Sequence, residues 1–220
     1  MAYILHIETA TRNCSVAVAH DGQTIADREV ADEGFSHAEK LHLFIERTLA
    51  DAQISYADLS AVAVSQGPGS YTGLRIGVSA AKGLCFALGI PLISVDTLAV
   101  LAAQVNSTDG LIVPMIDARR MEVYSAVFDA KHEPVREVRA EILTAESYAN
   151  WPGTIYFIGD CQAKCQTVLT DNRFVFLPDV VFPSAKEMGA LAYAKFTARS
   201  FEDVAYFEPY YLKDFVTGKK

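Results

Sequence analysis

The chain has 220 residues, of which 51% are hydrophobic and 21% are charged, and its formal net charge is −8. These values are typical of a globular protein with a sizeable core, and the acidic balance argues against a dominant nucleic-acid-binding surface on this chain alone. Four cysteines are too few for a disulfide framework at this length. The start lacks a basic leader and no apolar run is long enough to span a bilayer, so we expect a cytoplasmic protein without a membrane segment.

The first part of the chain predicts three strands followed by a helix. The strand candidates are residues 3–8, 14–20 and 23–30. Asp21 and Gly22, between the second and third strands, are a strong signal for a two-residue hairpin turn. Ser36 and Glu39 have the spacing of a capping box, which predicts a helix over residues 36–51.

The chain is organised around residues 61–88, which read AVAVSQGPGSYTGLRIGVSAAKGLCFAL. An apolar strand candidate, 61–65, leads through a loop rich in glycine and proline into a helix predicted over residues 72–88. The glycine spacing fits neither a Walker A loop nor a dinucleotide-binding fingerprint. As a phosphate-binding loop the stretch is therefore weak.

Small residues mark this predicted helix at positions 73, 77, 80, 81 and 83, and three of them are glycines. A glycine inside a helix costs about 1 kcal/mol relative to alanine, so the close approach of another backbone is the expected compensation. Two explanations stay open at this point: tight packing on the chain's own sheet, or contact with a helix of a partner.

The second half repeats the element order of the first, after a linker candidate at residues 106–110. The helix candidates of this half begin near Thr144, Gln162 and Ser184. Each half is thus predicted as β-β-β-α-β-α-β-α, which indicates an α/β protein with a duplicated ribonuclease H-like fold. The expected domains are residues 1–105 and 106–220, and the aromatic tail FEPYYLKDF is expected to pack back on the chain.

Four stretches resemble, in order, the TsaB (YeaZ) family: ILHIETATRNCSVAV, GPGSYTGLRIGVSAAKGL, IDARRMEVYSAVF and EPYYLK. The likeness covers nearly the whole chain, and GPGSYTGLRIG is specific to this family and its TsaD (Gcp) relatives. The resemblance implies the fold of the actin, sugar kinase and chaperone ATPase superfamily. It also implies a subunit of the complex with TsaD and TsaE that transfers a threonylcarbamoyl group to the tRNA adenosine beside the anticodon.

The resemblance also identifies ligands that this chain lacks. TsaD-like proteins bind a metal with two histidines four residues apart, and the aligned positions here are Thr97 and Leu101. Neither a lone hydroxyl nor a leucine can replace an imidazole ligand, so we expect no bound metal. No acid–base pair at a recognisable spacing is present either, so we expect no catalytic residues.

Four residues are candidates for nucleotide binding: Glu8, Thr9, Thr11 and Asp117. The first three stand where phosphate loops of the superfamily resemble DxGxT, but the glycine that lets a backbone approach a phosphate is absent. Asp117 stands where a second phosphate loop would lie, and its alternative role is a local hydrogen bond in a turn. We therefore expect no cofactor, with weak binding of ATP or ADP and Mg²⁺ left open.

Three functions are weighed. The leading hypothesis is a non-catalytic subunit that supports a TsaD-like catalytic subunit, and the alternatives are an ATP-dependent phosphotransferase of the actin-like superfamily and a glycopeptidase-like hydrolase. Under the leading hypothesis, helices 36–51 and 72–88 bind the TsaD-like partner, and a TsaE-like ATPase joins the complex. The chain contacts tRNA only indirectly, through the complex. In isolation the same face is expected to form a homodimer. The predicted partner-binding residues are Leu43, Phe44, Arg47, Gly73, Gly77, Ala80 and Leu84.

Overall fold

The computed structural model describes residues 1–31 and 37–213. The strands are β1 (Tyr3–Glu8), β2 (Asn13–His20), β3 (Gln23–Ala31), β4 (Leu59–Gly67), β5 (Leu92–Asp96), β6 (Leu111–Asp117), β7 (Glu122–Asp129), β8 (Pro134–Ile142), β9 (Ile155–Gly159) and β10 (Phe174–Phe176). The helices are α1 (His37–Asp51), α2 (Tyr71–Leu88), α3 (Thr97–Ala102), α4 (Gln162–Cys165) and α5 (Gly189–Thr197). The helix predicted to begin at Ser36 is present as α1, but its capping box lies outside the described residues.

The first sheet has the strand order β3-β2-β1-β4-β5. Its central strand, β1, pairs antiparallel with β2 and parallel with β4. Successive side chains of a strand point to opposite faces of the sheet. Leu5 and Ile7 accordingly pack into the apolar core beneath α1 and α2, whereas His6 and Glu8 face the other side.

Helix α2 has clear signals at both ends. The Ser70 hydroxyl accepts a hydrogen bond from the N–H of Gly73 at 3.3 Å, which satisfies one of the free donors of the first turn. Gly89 ends the helix in the left-handed conformation, with φ of 65°. Between them, Leu74, Val78, Ala81 and Cys85 are buried at helical spacing against the sheet.

The second sheet has the order β10-β9-β6-β7-β8. In both sheets the strands lie, from one edge to the other, in the order third, second, first, fourth, fifth along the chain. Phe157 is fully buried in the second core, and its ring lies 5.1–5.2 Å from those of Tyr148, Phe174 and Phe176. The shared strand order confirms the predicted α/β class and duplicated fold.

The compact units do not coincide with the predicted domains 1–105 and 106–220. One unit is Met1–Thr97 together with the chain from Ser184 onward, and the other is Leu98–Pro183. The chain returns to the first unit because its last part is bonded there: Glu202 donates its N–H to the carbonyl oxygen of Leu92 at 2.9 Å. The Ser94 hydroxyl also donates to the Glu202 carboxylate at 2.6 Å.

The helices of the second half differ from the prediction. Turns replace the helix expected near Thr144, and the helix from Gln162 is the single-turn α4. A short 3-10 turn, Ala185–Met188, and α5 replace the continuous helix expected from Ser184. The order β-β-β-α-β-α-β-α is therefore complete only in the first half, because turns take the place of the helix expected between β8 and β9 in the second half.

Candidate partner-binding site

A groove of about 730 Å³ runs between α1 and α2 on the surface of the first unit. Half of its lining residues are small or apolar: Ala38, Ile76, Ala80, Gly83 and Leu84. The other half carry polar groups: His42, Tyr71, Thr72, Arg75 and Ser79. Because α1 and α2 each use one stripe to cover the sheet, the groove is formed by what remains on their adjoining sides. The site is shaped to accept apolar surface rather than a small polar substrate.

The predicted partner-binding residues Ala80 and Leu84 both line this groove. Leu43 is 41% exposed on α1 although it is apolar, and Arg47 is exposed on the same helix. Phe44 is half-buried and packs against the core of the first unit. Their role in binding stays a prediction.

Gly73 and Gly77 are buried, and their small size serves the fold itself. A Cβ atom at Gly73 would overlap with the backbone carbonyl oxygen of Thr9, and one at Gly77 would overlap with the Thr9 hydroxyl. The Thr9 hydroxyl in turn donates to the carbonyl oxygen of Gly73 at 2.7 Å. Both glycines let α2 approach the turn after β1, and their predicted contact with a partner stays a prediction.

Gly83 behaves differently from the other two glycines of α2. It is exposed, it lines the groove, and no atom lies within 4 Å of the position that its Cβ would take. Glycine in a helix interior destabilises by about 1 kcal/mol relative to alanine, and no neighbour within the described residues requires it here. The sequence marked Gly83 as small, but the prediction did not include it in the binding set.

The C-terminal segment 201–213 lies along α2. The Lys82 ammonium donates to the carbonyl oxygens of Ala205 at 3.2 Å and Phe207 at 2.9 Å. Tyr210 donates its N–H to the carbonyl oxygen of Gln66 at 2.7 Å. The expected back-packing of the aromatic tail is thus confirmed for its described part.

An aromatic cluster forms one end of the groove, and sequence reasoning missed it. The ring of Tyr211 lies 4.9 Å from that of Tyr71, and the Arg75 guanidinium stands 4.3 Å above the Tyr71 ring. Tyr71 and Arg75 both line the groove. Only the packing of the C-terminal segment on α2 brings these residues together, because Tyr211 is far from the other two in the chain.

Glu8, a candidate for nucleotide binding, is fully buried and bonded within the chain. One of its carboxylate oxygens accepts the N–H of Ala10 at 2.6 Å, and the other accepts the Ser65 hydroxyl. Burial raises the pKa of Glu8 from 4.5 to about 7 and outweighs these two hydrogen bonds, which lower it. A carboxyl group that is enclosed and partly protonated near neutral pH is a poor ligand for Mg²⁺.

The other nucleotide-binding candidates are also engaged. The Thr11 hydroxyl accepts the N–H of Asn13 at 3.3 Å, a local bond in the turn between β1 and β2. Asp117 belongs to the second unit, where it accepts the N–H of Arg119 at 2.7 Å and the Lys164 ammonium at 2.5 Å. Its geometry is that of a turn aspartate.

The positions aligned with metal ligands serve packing. The Thr97 hydroxyl accepts the N–H of Gly67 at 3.1 Å, and Leu101 is fully buried in the second unit. Across residues 1–31 and 37–213, no three side chains of histidine, cysteine, aspartate or glutamate are grouped so that they could hold a metal ion. In the same part of the chain, no helix is both long and apolar enough to cross a membrane.

His6 and Glu8 are buried on the same face of β1, and their contributions to the free energy of unfolding should depend on pH in opposite directions. Burial lowers the pKa of His6 from 6.5 to about 4, because it disfavours the charged imidazolium. The contribution of His6 to stability is therefore lost as the pH falls from 6.5 to about 4. The raised pKa of Glu8 means that its contribution is present below pH 4.5 and is lost as the pH rises to about 7. Each effect amounts to about 3 kcal/mol at most.

Single variants separate these two contributions. The difference in free energy of unfolding between wild type and Glu8→Gln should fall as the pH rises from 4.5 to 7. The corresponding difference for His6→Gln should fall as the pH is lowered from 6.5 to 4. Urea unfolding at a series of pH values measures both, and differences that do not change with pH would contradict the assignment.

The comparisons with known proteins define the class first. The structure of a YeaZ-like protein from Pseudomonas aeruginosa superposes with a TM-score of 0.83 over 97% of this chain and 100% of that one, at 26% identity. Component A of (R)-2-hydroxyglutaryl-CoA dehydratase from Acidaminococcus fermentans, 10% identical, shares the fold alone with a TM-score of 0.50. With two five-stranded sheets of identical strand order, the chain has a duplicated α/β fold of the actin-like class.

The family follows from the sequence comparisons. Residues 31–213 match the family described as TsaD, tRNA N6-adenosine threonylcarbamoyltransferase. The tRNA threonylcarbamoyladenosine biosynthesis protein TsaB of Escherichia coli (strain K12) is 30% identical, over 99% of this chain and 97% of the relative. The chain belongs to the TsaB (YeaZ) family, within the broader group that includes TsaD.

Proposed function

We propose that the chain is a non-catalytic subunit of the machinery that makes threonylcarbamoyladenosine in tRNA, and that it binds a TsaD-like catalytic subunit through the α1–α2 groove. The groove carries this proposal, because it is an open surface between two adjacent helices with small and apolar residues along it. The proposed lack of catalysis is supported by two side chains of the same unit: the carboxyl of Glu8 and the hydroxyl of Thr9 are both buried and hydrogen-bonded within the chain.

The choice of partner rests on shared architecture. Since residues 31–213 match the TsaD family, a TsaD-like protein is expected to carry its own pair of helices equivalent to α1 and α2. Two such pairs can pack as a four-helix bundle, and small residues allow short distances between the helix axes. Without the partner, the same surface is self-complementary to a second copy, which favours a homodimer with two-fold symmetry.

The remaining components join through this contact. We place a TsaE-like ATPase in the complex, and we propose that tRNA is bound chiefly by the partner, because this chain carries a net charge of −8. We propose no resident nucleotide or metal for this chain. Under this proposal, the ATP that the complex uses is bound by the other subunits.

Reconstitution tests the proposal. The chain alone, supplied with tRNA, ATP and the activated intermediate derived from threonine and bicarbonate, should transfer no threonylcarbamoyl group. The TsaD-like and TsaE-like subunits, given the same substrates, should need the chain for activity. Incorporation of labelled threonine into tRNA is the measurement. Full activity of the partners without this chain would overturn the proposal, and stoichiometric binding of ATP to the isolated chain would favour a phosphotransferase.

A further inference from the structure

The hairpin between β6 and β7 has a tip that the fold does not explain. Arg119 and Arg120 are consecutive there, with φ of 72° and 53°, in the left-handed region. This conformation is unfavourable for side chains with a Cβ, and glycine or asparagine is the usual residue there. Other residues at these two positions would serve the fold better, so the arginines point to another requirement.

Neighbouring groups hold the backbone of the tip in place. The Lys164 ammonium donates to the Asp117 carboxylate at 2.5 Å and to the carbonyl oxygens of Arg120 and Glu122 at 2.7 and 3.0 Å. Asp117 also accepts the N–H of Arg119 at 2.7 Å. Lys164 and Asp117 thus neutralise each other while they fix the positions from which the two arginine side chains extend.

The guanidinium groups of Arg119 and Arg120 take no part in the ion pairs of the described residues. Both arginines are exposed, and neither forms an ion pair within residues 1–31 and 37–213. Four other arginines pair with carboxylates: Arg28, Arg136, Arg139 and Arg173. The tip therefore presents two adjacent positive charges from a fixed hairpin, on a chain that is acidic as a whole.

We propose that the Arg119–Arg120 tip binds the phosphate backbone of the tRNA on which the complex acts, an inference that rests on the proposed function. The planar fork of a guanidinium matches phosphate oxygens, and such backbone contacts position an RNA without reading its sequence. The tip adds one direct contact to a tRNA that is otherwise bound by the partner. Phosphates of a free nucleotide offer the same chemistry, so the test includes ATP.

The double variant Arg119→Asn/Arg120→Gly removes both charges and places residues that tolerate a positive φ at both positions. In the complex with the TsaD-like partner, tRNA affinity measured by fluorescence anisotropy should fall on the order of tenfold, and its dependence on log salt concentration should flatten by about one to two units. The midpoint of thermal unfolding should not fall, and should rise by about 2–4 °C if the strain is relieved. Arg199→Ala is the matched control, because Arg199 is also exposed with a positive φ, of 54°, but lies in the first unit. It should leave tRNA affinity unchanged.

Complex formation is measured first, by gel filtration, and the tRNA titration is repeated with the chain alone at low salt. If the wild-type chain forms no complex with the TsaD-like partner, the proposed function is refuted. The effect of the two arginines on tRNA affinity would then be measured with the isolated chain. Wild-type affinity and salt dependence in the double variant would overturn the tip assignment, as would the absence of tRNA binding in both formats. An effect on ATP binding without one on tRNA would also overturn it.

Discussion

Replacing Ala80 by arginine should abolish binding of the TsaD-like partner, raising the dissociation constant at least about 100-fold, equivalent to about 3 kcal/mol. Ala80 is half-buried on α2 and lines the groove, so a long charged side chain there would be enclosed on docking without an opposite charge. The self-association of the isolated chain should be lost as well. Isothermal titration calorimetry and analytical ultracentrifugation measure the two effects.

The matched control is Ala194→Arg, because Ala194 is exposed on α5 of the same unit and does not line the groove. It should bind the partner as wild type does. Since Ala80 also packs against the core of the first unit, Gly83→Arg is a second variant that places the charge in the groove without displacing any neighbour. If folded Ala80→Arg and Gly83→Arg both keep partner binding and self-association, the contact surface lies elsewhere.

Replacement of Gly73 and of Gly83 by alanine should change the free energy of unfolding in opposite directions. Gly73→Ala should destabilise the chain by about 1–3 kcal/mol, because its methyl group would overlap with the backbone oxygen of Thr9, which cannot rotate away. Gly83→Ala should stabilise it by up to about 1 kcal/mol, since the new methyl group meets no neighbour and alanine favours the helix. Urea unfolding of the isolated chain measures both.

Partner binding provides the second readout for the same pair. Gly83→Ala should weaken binding although it strengthens the fold, because its methyl group enters the groove. Changes of the same sign in the stability of the two variants would refute the different roles assigned to the two glycines. Unchanged partner affinity in Gly83→Ala would mean that no partner backbone approaches closely at this position.

Much of the fold could be predicted from the sequence, because its strongest signals are local. The turn at Asp21 and Gly22 joins β2 to β3, and the glycine-rich loop leads from β4 into α2, both as expected. The prediction of a helix near Thr144 was wrong, because a short polar segment is compatible with turns as well as with a helix. The predicted domain boundary failed for a different reason: the return of the chain to the first unit at Ser184 is a long-range contact without a local signature.

The candidate site was predicted only in part, and α2 explains why. Gly73, Gly77, Ala80 and Leu84 follow helical spacing closely enough to share one stripe, so the sequence assigned them one role. In the structure, the turn containing Thr9 covers only the beginning of that stripe, and the later residues remain open in the groove. The arrangement of Tyr71, Arg75 and Tyr211 depends on the C-terminal segment and leaves no local pattern.

The position of segment 201–213 has a consequence for synthesis on the ribosome. This segment is made late, after the whole of Leu98–Pro183, yet its Tyr211 packs against Tyr71, which lines the groove between α1 and α2. Domains fold as they emerge, but the first unit must wait for this distant part of its own chain. The contact between Tyr211 and Tyr71 therefore forms only when translation is nearly finished, so a prematurely terminated chain lacks this support at the groove.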